Sequence, residues 1–331
     1  MPSLHPSGLC IVQAEDRPIL RDTRGFSTSS ASGSLGTTGF AELLVTNRAL
    51  CAADANCTYV RHDSAYKHIE PHWRKVFIGS MVLNTTHCPA IAWLDSDSVL
   101  GGKPSDLLAL LRPHPRSSSG EGIINGGGGA PEVDDRRYVW PRGSWKPDGS
   151  SRPGEHFHMV ASGEGDLYNH NLSPFNAGVW VVANTKLGRA IMSKWVSVYH
   201  EHAARHWARD MSGRHTGQDD LTWRCTQEDE RSPGAGKTRP CDFSQEHYEQ
   251  GAFVRHVLSA PRFRHTIRLV PWYVFQSIHP HPMVHHFIGP PRTKEKHMSA
   301  YLRFRGPGGG SSRASGGSGS SGGGGSGGGG S

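Results

Sequence analysis

The chain reads as an α/β protein with a mainly parallel central sheet flanked by helices. Three observations predict this. Short apolar runs of strand length alternate with longer stretches in which apolar residues recur every three or four positions, the pattern of strands joined through helices. Several runs are apolar almost throughout rather than alternating, as strands covered on both faces are. One run ends directly in two aspartates, Asp95 and Asp97, and ligands of open parallel sheets sit beyond the carboxyl ends of strands.

The elements follow in order. Leu9 to Gln13 is a short buried strand, followed by a Ser/Gly-rich loop through Gly39. Phe40 to Ala53 has helical spacing, with Leu43, Leu44, Ala49 and Leu50 on one side. Cys57 to Arg61 is a second strand. His72 to Leu83 is a helix with Trp73, Val76, Phe77 and Ser80 on a face, and Ala90 to Leu94 is a third strand. Ser105 is placed to cap a helix through Leu111, and Pro113 and Pro115 stop it. From residue 112 to 164 the period is lost in a long Gly/Pro-rich insert, a length that in a compact domain is functional or disordered; His158 to Ala161 restores a strand. Phe175 to Ala183 is another strand. Thr185 then starts a helix in which Leu187, Ile191, Trp195, Val198 and His202 share a side, with Trp195 in the core. A helix is expected over Leu221 to Thr226 and a polar loop over Gln227 to Gln250. Ile267 to Phe275 contains a strand broken by Pro271, and Lys294 to Tyr301 is helical. Residues 1–305 form one domain by this reading, and 306–331 a flexible Gly/Ser-rich tail that cannot bury a core.

Composition narrows the partners. The 331 residues carry a formal charge of +7 and 21 histidines. No Lys/Arg block interleaved with aromatics points to nucleic acid, so the excess is a solvated basic surface or suits a small phosphorylated anion. Six cysteines, at positions 10, 51, 57, 88, 225 and 241, make no C-x-x-C pair, which argues against a zinc ribbon. Their even number leaves disulfides and free buried thiols both open. Asn56, Asn84 and Asn171 each begin an Asn-x-Ser/Thr sequon, which matters only in a secretory compartment; Pro174 weakens the third. No signal-peptide core and no run of about 18 apolar residues is present, so no membrane span is expected in this chain.

Two carboxylates at the end of a buried strand are costly unless their charge is compensated. Alternation along a strand lets residues two apart point the same way, so Asp95 and Asp97 can share one site. Oxygen ligands suit Mg²⁺ or Mn²⁺, and an added imidazole tilts the choice toward Mn²⁺. Such an ion would hold a diphosphate and stabilise its charge as it leaves. Taken alone, D-x-D reads equally well as an acidic turn.

The order of four motifs carries more than any one of them: Trp93-Leu94-Asp95-Ser96-Asp97, then Asn176-Ala177-Gly178, then Gly217-Gln218-Asp219-Asp220, then His286-Phe287-Ile288-Gly289. This order resembles the GT-A-fold, Rossmann-like glycosyltransferases, and more narrowly the retaining α-galactosyl/xylosyltransferase family of fungi and plants. Thr46-Asn47-Arg48 and Trp73-Arg74-Lys75 are similar to its early N-[RK] and W-x-K segments. The resemblance implies a metal-dependent transferase that moves a sugar from a UDP-sugar to a glycan or glycoprotein acceptor in the Golgi lumen or secretory pathway. It implies Asp95, Asp97 and His286 as ligands of Mn²⁺ or Mg²⁺, with Asp95 also at the nucleotide ribose. Gln13 and Glu15 would face the uracil and ribose, Asn176 and Gly178 the donor sugar, and Lys75, Gly289 and Lys294 the rest of the donor, with Lys294 or Arg292 at the β-phosphate. Gln218 would sit near the anomeric carbon. The family's acidic residue before that glutamine is Gly217 here, so Asp219 or Asp220 would have to supply the carboxylate, although both also suit a helix N-terminus.

Other readings exist for the same residues. His286 lies among His279, His281 and His285 and can be a packing residue; Asn176-Ala177-Gly178 can be a turn into a strand. Trp140, Trp145, Trp272 and Tyr273 suit either an acceptor sugar or the core. Asp95-Ser96-Asp97-Ser98-Val99 also fits the D-x-D-x-[TV] signature of haloacid-dehalogenase-type phosphatases, with Asp95 as nucleophile. A non-catalytic nucleotide-sugar-binding relative is a further alternative.

Overall fold

The computed structural model describes residues 8–14, 36–62, 66, 68–112, 156–163, 175–210, 222–225, 246–270, 272–275, 282–287, 294, 296–298 and 300–302. Most of the insert and the Gly/Ser tail lie outside these. The elements are β1 (Leu9–Gln13), α1 (Gly36–Ala52), β2 (Cys57–Arg61), α2 (Pro71–Thr85), β3 (Ala90–Leu94), β4 (Ser98–Leu100), a 3₁₀ helix (Pro104–Leu111), β5 (Met159–Ser162), β6 (Asn176–Ala183) and α3 (Lys186–Val198). They continue with β7 (Trp207–Asp210), β8 (Thr222–Cys225), α4 (Glu249–Ala252), α5 (Pro261–Arg264), β9 (Ile267–Val270) and β10 (Val284–His286).

Six strands form the central sheet in the order β2-β1-β3-β6-β5-β9. All run parallel except β6, which is antiparallel to both β3 and β5. The α/β class with a mainly parallel sheet and flanking helices therefore holds. Alternate residues of each strand feed two cores. Cys10, Val12, Ile91, Trp93, Trp180, Val182 and Leu269 face α2, α3 and the helical stretch 249–258. Leu9, Ile11, Ala90, Ala92, Leu94, Val179 and Val181 face the 3₁₀ helix and β10. Burial on both faces explains why the strands read as unbroken apolar runs.

Tryptophans fill the first core. Trp73, Trp180 and Trp195 are completely buried, each stabilising the fold by an amount on the order of the 1.5–3 kcal/mol typical of a large buried apolar side chain. Trp93 stacks on its register partner Trp180 with ring centroids 6.0 Å apart. α2 approaches so closely that a Cβ on Gly79 would lie 2.4 Å from the Trp180 ring, so only glycine fits there. Helix starts follow ordinary capping: Glu70 accepts from the Trp73 N–H and Pro71 opens α2, while Thr185 accepts from the Gly188 N–H to start α3.

Four expectations need correction. Ser105 does not cap the segment before Leu111. Lys103 holds the cap position and Pro104 opens a 3₁₀ helix, while the Ser105 N–H is taken by Asp54 from 2.8 Å. The helix expected over residues 221–226 is instead strand β8, paired antiparallel with β7, where Thr222 and Trp223 suit a strand. The polar loop expected up to Gln250 ends in a buried helix start at Glu249, which continues as a wider π-type turn through Leu258. Strand alternation does not aim the two aspartates: β3 stops at Leu94, as expected, and residues 95–98 form a turn closed by Ser98 N–H to the Asp95 carbonyl, 2.9 Å.

Among the described cysteines, Cys10 pairs with Cys88 and Cys51 with Cys57, which settles the open choice between disulfides and thiols for these four. Among the described residues, no helix is long and apolar enough to cross a membrane.

Candidate metal and donor site

The turn after β3 gathers the site. Antiparallel pairing places Leu94 opposite Val179, and the ladder continues as Asp95 N–H to the Gly178 carbonyl, 2.8 Å. β10 pairs antiparallel with β4, setting His286 opposite Ser98, and the Phe287 N–H reaches the Asp97 carbonyl at 3.0 Å. Backbone pairing alone therefore brings His286, nearly 190 residues downstream in sequence, against the aspartates. One ligand atom from each of Asp95, Asp97 and His286 lies within 4.8 Å of the others.

Each aspartate is held differently. Asp95 accepts from the Trp93 indole N–H at 2.7 Å and from the Lys75 ammonium at 2.9 Å. Lys75 also lies 3.4 Å from buried Glu249. Burial by itself would lower the Lys75 pKa; Asp95 and Glu249 outweigh it and hold the ammonium above the ordinary lysine value. Burial pushes Glu249 up, partly offset by Lys75 and His72. Asp97 is paired with Lys294 through Oδ2, and its Oδ1 lies 3.4 Å from His286 Nε2. Burial would raise the Asp97 carboxyl, but His286 and Lys294 outweigh it and hold it well below the usual carboxylate range.

These residues fit a hard divalent ion. Asp97 Oδ1 is buried and has no hydrogen-bond partner, an expensive state for a carboxylate oxygen unless a cation satisfies it. Two carboxylates and one imidazole form an O/O/N donor set that suits Mn²⁺ or Mg²⁺. Gly178 makes the arrangement possible: a Cβ there would lie 2.1 Å from His286 Cε1. The close approach at this glycine is made by the candidate ligand itself.

Several expected site residues have a different surrounding. Gln13 is fully buried, and its amide is committed within the protein. Its Nε2 donates to the Asp95 carbonyl at 3.2 Å, and its Oε1 accepts from Asn47 at 3.0 Å and from the Tyr59 hydroxyl at 2.9 Å. Asn47 in turn donates to the Ser98 carbonyl and accepts from the Leu100 N–H, both at 2.8 Å. Gln13 and Asn47 thus brace the aspartate turn from beneath. Asn176 is buried and accepts from the Gly178 N–H at 2.8 Å, shaping the strand entry beside His286. Glu15, Gln218, Asp219, Asp220 and Gly289 lie outside the described residues.

Sequence reasoning missed the acidic-glutamine pair Glu249-Gln250. Gln250 Oε1 accepts from the Ala177 N–H at 3.2 Å, and Glu249 reaches Lys75, so the pair joins both the Asn176-Ala177-Gly178 strand and the aspartate turn. Three indole N–H groups fix this segment: Trp73 and Trp207 donate to the His247 carbonyl, and Trp195 to the Glu249 carbonyl, at 2.8–2.9 Å. The signal was present in the sequence. An acidic residue and a glutamine stand just before Phe253, Val257 and Leu258, apolar residues at helical spacing.

The phosphatase alternative expects its motif on the first strand of the core. Here two parallel strands precede β3 in sequence, and β6 runs antiparallel beside it.

The chain matches no family model and no curated protein sequence. Among solved structures, it is similar to a glycosyltransferase involved in glycosylation of the major capsid of PBCV-1, at 12% identity and a TM-score of 0.45, covering 88% of this chain and 99% of that one. The glycosyltransferase GlyE of Streptococcus pneumoniae TIGR4 shares 11% identity at a TM-score of 0.38, covering 90% of this chain and 62% of its own. The galactosyltransferase LgtC, solved with donor and acceptor sugar analogs, shares 11% identity at 0.30, covering 88% and 95%.

Proposed function

We propose that the protein is a metal-dependent glycosyltransferase that moves a sugar, galactose, xylose or similar, from a UDP-sugar to a glycan or glycoprotein acceptor with retention of configuration, in the Golgi lumen or secretory pathway. One observation carries this reading: Asp95, Asp97 and His286 converge beyond the carboxyl end of β3, with Asp97 Oδ1 buried, without a hydrogen bond and facing His286. The ordered motifs of the sequence supply the sugar-nucleotide direction.

Asp95, Asp97 and His286 would hold the divalent ion, which when bound supplies charge stabilisation to a departing diphosphate. Lys75 and Glu249 fix the Asp95 carboxylate in place. Lys294, a quarter exposed, is the cation with freedom to turn from Asp97 toward a phosphate oxygen. Glu249-Gln250 supplies the acidic-glutamine pair that Gly217 breaks. In this reading it replaces Gly217-Gln218 as the pair beside the donor strand, and Asp219 and Asp220 lose their role as stand-ins.

The test is hydrolysis of UDP-galactose, UDP-xylose, UDP-glucose and UDP-arabinose by the full chain with Mn²⁺, followed by release of UDP. Metal-dependent hydrolysis of at least one donor supports the reading. Absence of UDP release from all four, with phosphatase activity on simple phosphate esters instead, would overturn it.

A further inference from the structure

We propose that Asn84 is a site of N-linked glycosylation, with its first sugar resting over the polar cleft beside it. This rests on the secretory placement proposed above and concerns the end of β3 opposite the aspartate turn.

Asn84-Thr85-Thr86 is an Asn-x-Thr acceptor sequence in the last turn and cap of α2. Asn84 is exposed, and its amide donates at 2.8 Å to the carbonyl of half-buried Ser80 in its own helix, a solvent-exposed bond that water replaces at little cost. Beside it lies an open cleft of about 380 Å³ lined by Asn84, His87, Pro89, Asn184 and Arg189. Asn84, His87, Asn184 and Arg189 offer hydrogen-bonding side chains suited to hydroxyls and an acetamido group. Arg189 is fixed there by a 2.6 Å bond to the Asn184 side chain.

The second described sequon has a different setting. Asn56 is also exposed, but its carbonyl accepts from Leu9 at 2.7 Å, and its middle residue, Cys57, is bonded to Cys51. The two cysteine pairs belong in an oxidising compartment, the same one in which N-glycans are attached. The cleft sits at the start of β3 and the aspartates at its end, so a strand of about 16 Å separates a glycan at Asn84 from the candidate site. A sugar there shields the lower rim of the sheet without closing the donor mouth.

The full chain, secreted from eukaryotic cells behind an added cleavable leader, is treated with peptide N-glycosidase, and each sequon peptide is read by mass spectrometry. The expected result is a glycan at Asn84, lost in Asn84→Gln and Thr86→Val and retained in Thr86→Ser. An unmodified Asn84 peptide in the secreted, folded chain overturns the proposal. The added leader delivers the chain to the lumen in either case. Failure here is therefore distinct from failure of the secretory placement, which is read separately from where the native protein resides in its own cells.

Discussion

The two halves of the Asp95–Asp97 turn are built to different standards of rigidity. Asp95 belongs to the framework: α2 supplies Lys75, the 249–250 segment supplies Glu249, and β3 supplies the Trp93 indole. Asp97 is the more buried of the two carboxylates, but it is held by later segments of the chain. Its partners come from β10 and from the C-terminal segment at Lys294, whose neighbours Met298, Tyr301 and Leu302 pack in a small satellite core with Phe40, Val99 and Phe287. In the proposed function, a site that holds a metal–diphosphate and then releases it is served by one fixed carboxylate and one whose cation can exchange. The variants that test this contrast should separate into stability effects on the Asp95 side and binding effects on the Asp97 side.

The largest effect is expected at Lys75. Lys75→Met leaves Glu249 and Asp95 facing each other without their cation, and breaking a buried ion pair of this kind costs about 3–5 kcal/mol. Urea denaturation reads it directly; a loss within error of zero would show that Lys75 is not the framework cation.

Gly178→Ala comes next and reports on both halves. The new methyl must push the His286 ring aside, costing about 1–3 kcal/mol of stability by overpacking and lowering metal affinity about 10–100-fold, the range seen when a ligand's support is disturbed. Unaltered Mn²⁺ binding would remove His286 from the ligand set.

Lys294→Met leaves His286 as the remaining partner of Asp97, so it should lower the denaturation midpoint less than Lys75→Met does, and weaken metal-assisted UDP binding by about tenfold, as expected for loss of one charge-assisted bond to phosphate. A large loss of stability instead would place Lys294 in the framework and erase the contrast.

The smallest effect concerns pH. His72 lies 2.5 Å from Glu70, the α2 cap, and although burial would lower its pKa, Glu70 outweighs that and raises it to about 9. A folded pKa above the ordinary value near 6.5 means the charged form stabilises the fold. That contribution is complete below the ordinary value and fades as pH rises through about 9. Because the side chain is 41% exposed, it is worth less than about 1 kcal/mol. His72→Asn should therefore be less stable than the native chain at about pH 6 and equal to it at about pH 10. A gap that stays constant across that range would rule out the ion pair.

Much of the fold was legible because both-face burial writes itself as apolar runs, and because Thr185 and Trp195 obey local rules of capping and period. Strand direction was not legible. Nothing in Asn176–Ala183 marks it as antiparallel, since that depends on which neighbours it meets. Residues 222–225 read as part of a helix because their pairing partner, Trp207–Asp210, is distant in sequence and no local pattern announces it. At the site, Asp95, Asp97 and His286 were legible from residue type and order. The place of Gln13 beneath the aspartate turn was not legible, because a buried amide and a ligand-facing amide look the same in sequence. Glu249 and Gln250 were taken for loop, because a buried charge in a polar stretch is revealed only by its partner, Lys75.

The central claim is that the aspartate turn and His286 clamp a metal–diphosphate. Calorimetric titration of UDP into the native chain and into Asp97→Ala, each with and without Mn²⁺, tests it most directly. The account predicts that Mn²⁺ strengthens UDP binding to the native chain and that Asp97→Ala abolishes the gain by more than about 100-fold, beyond the effect of losing a supporting residue. Metal-assisted UDP binding that survives unchanged in Asp97→Ala would contradict it.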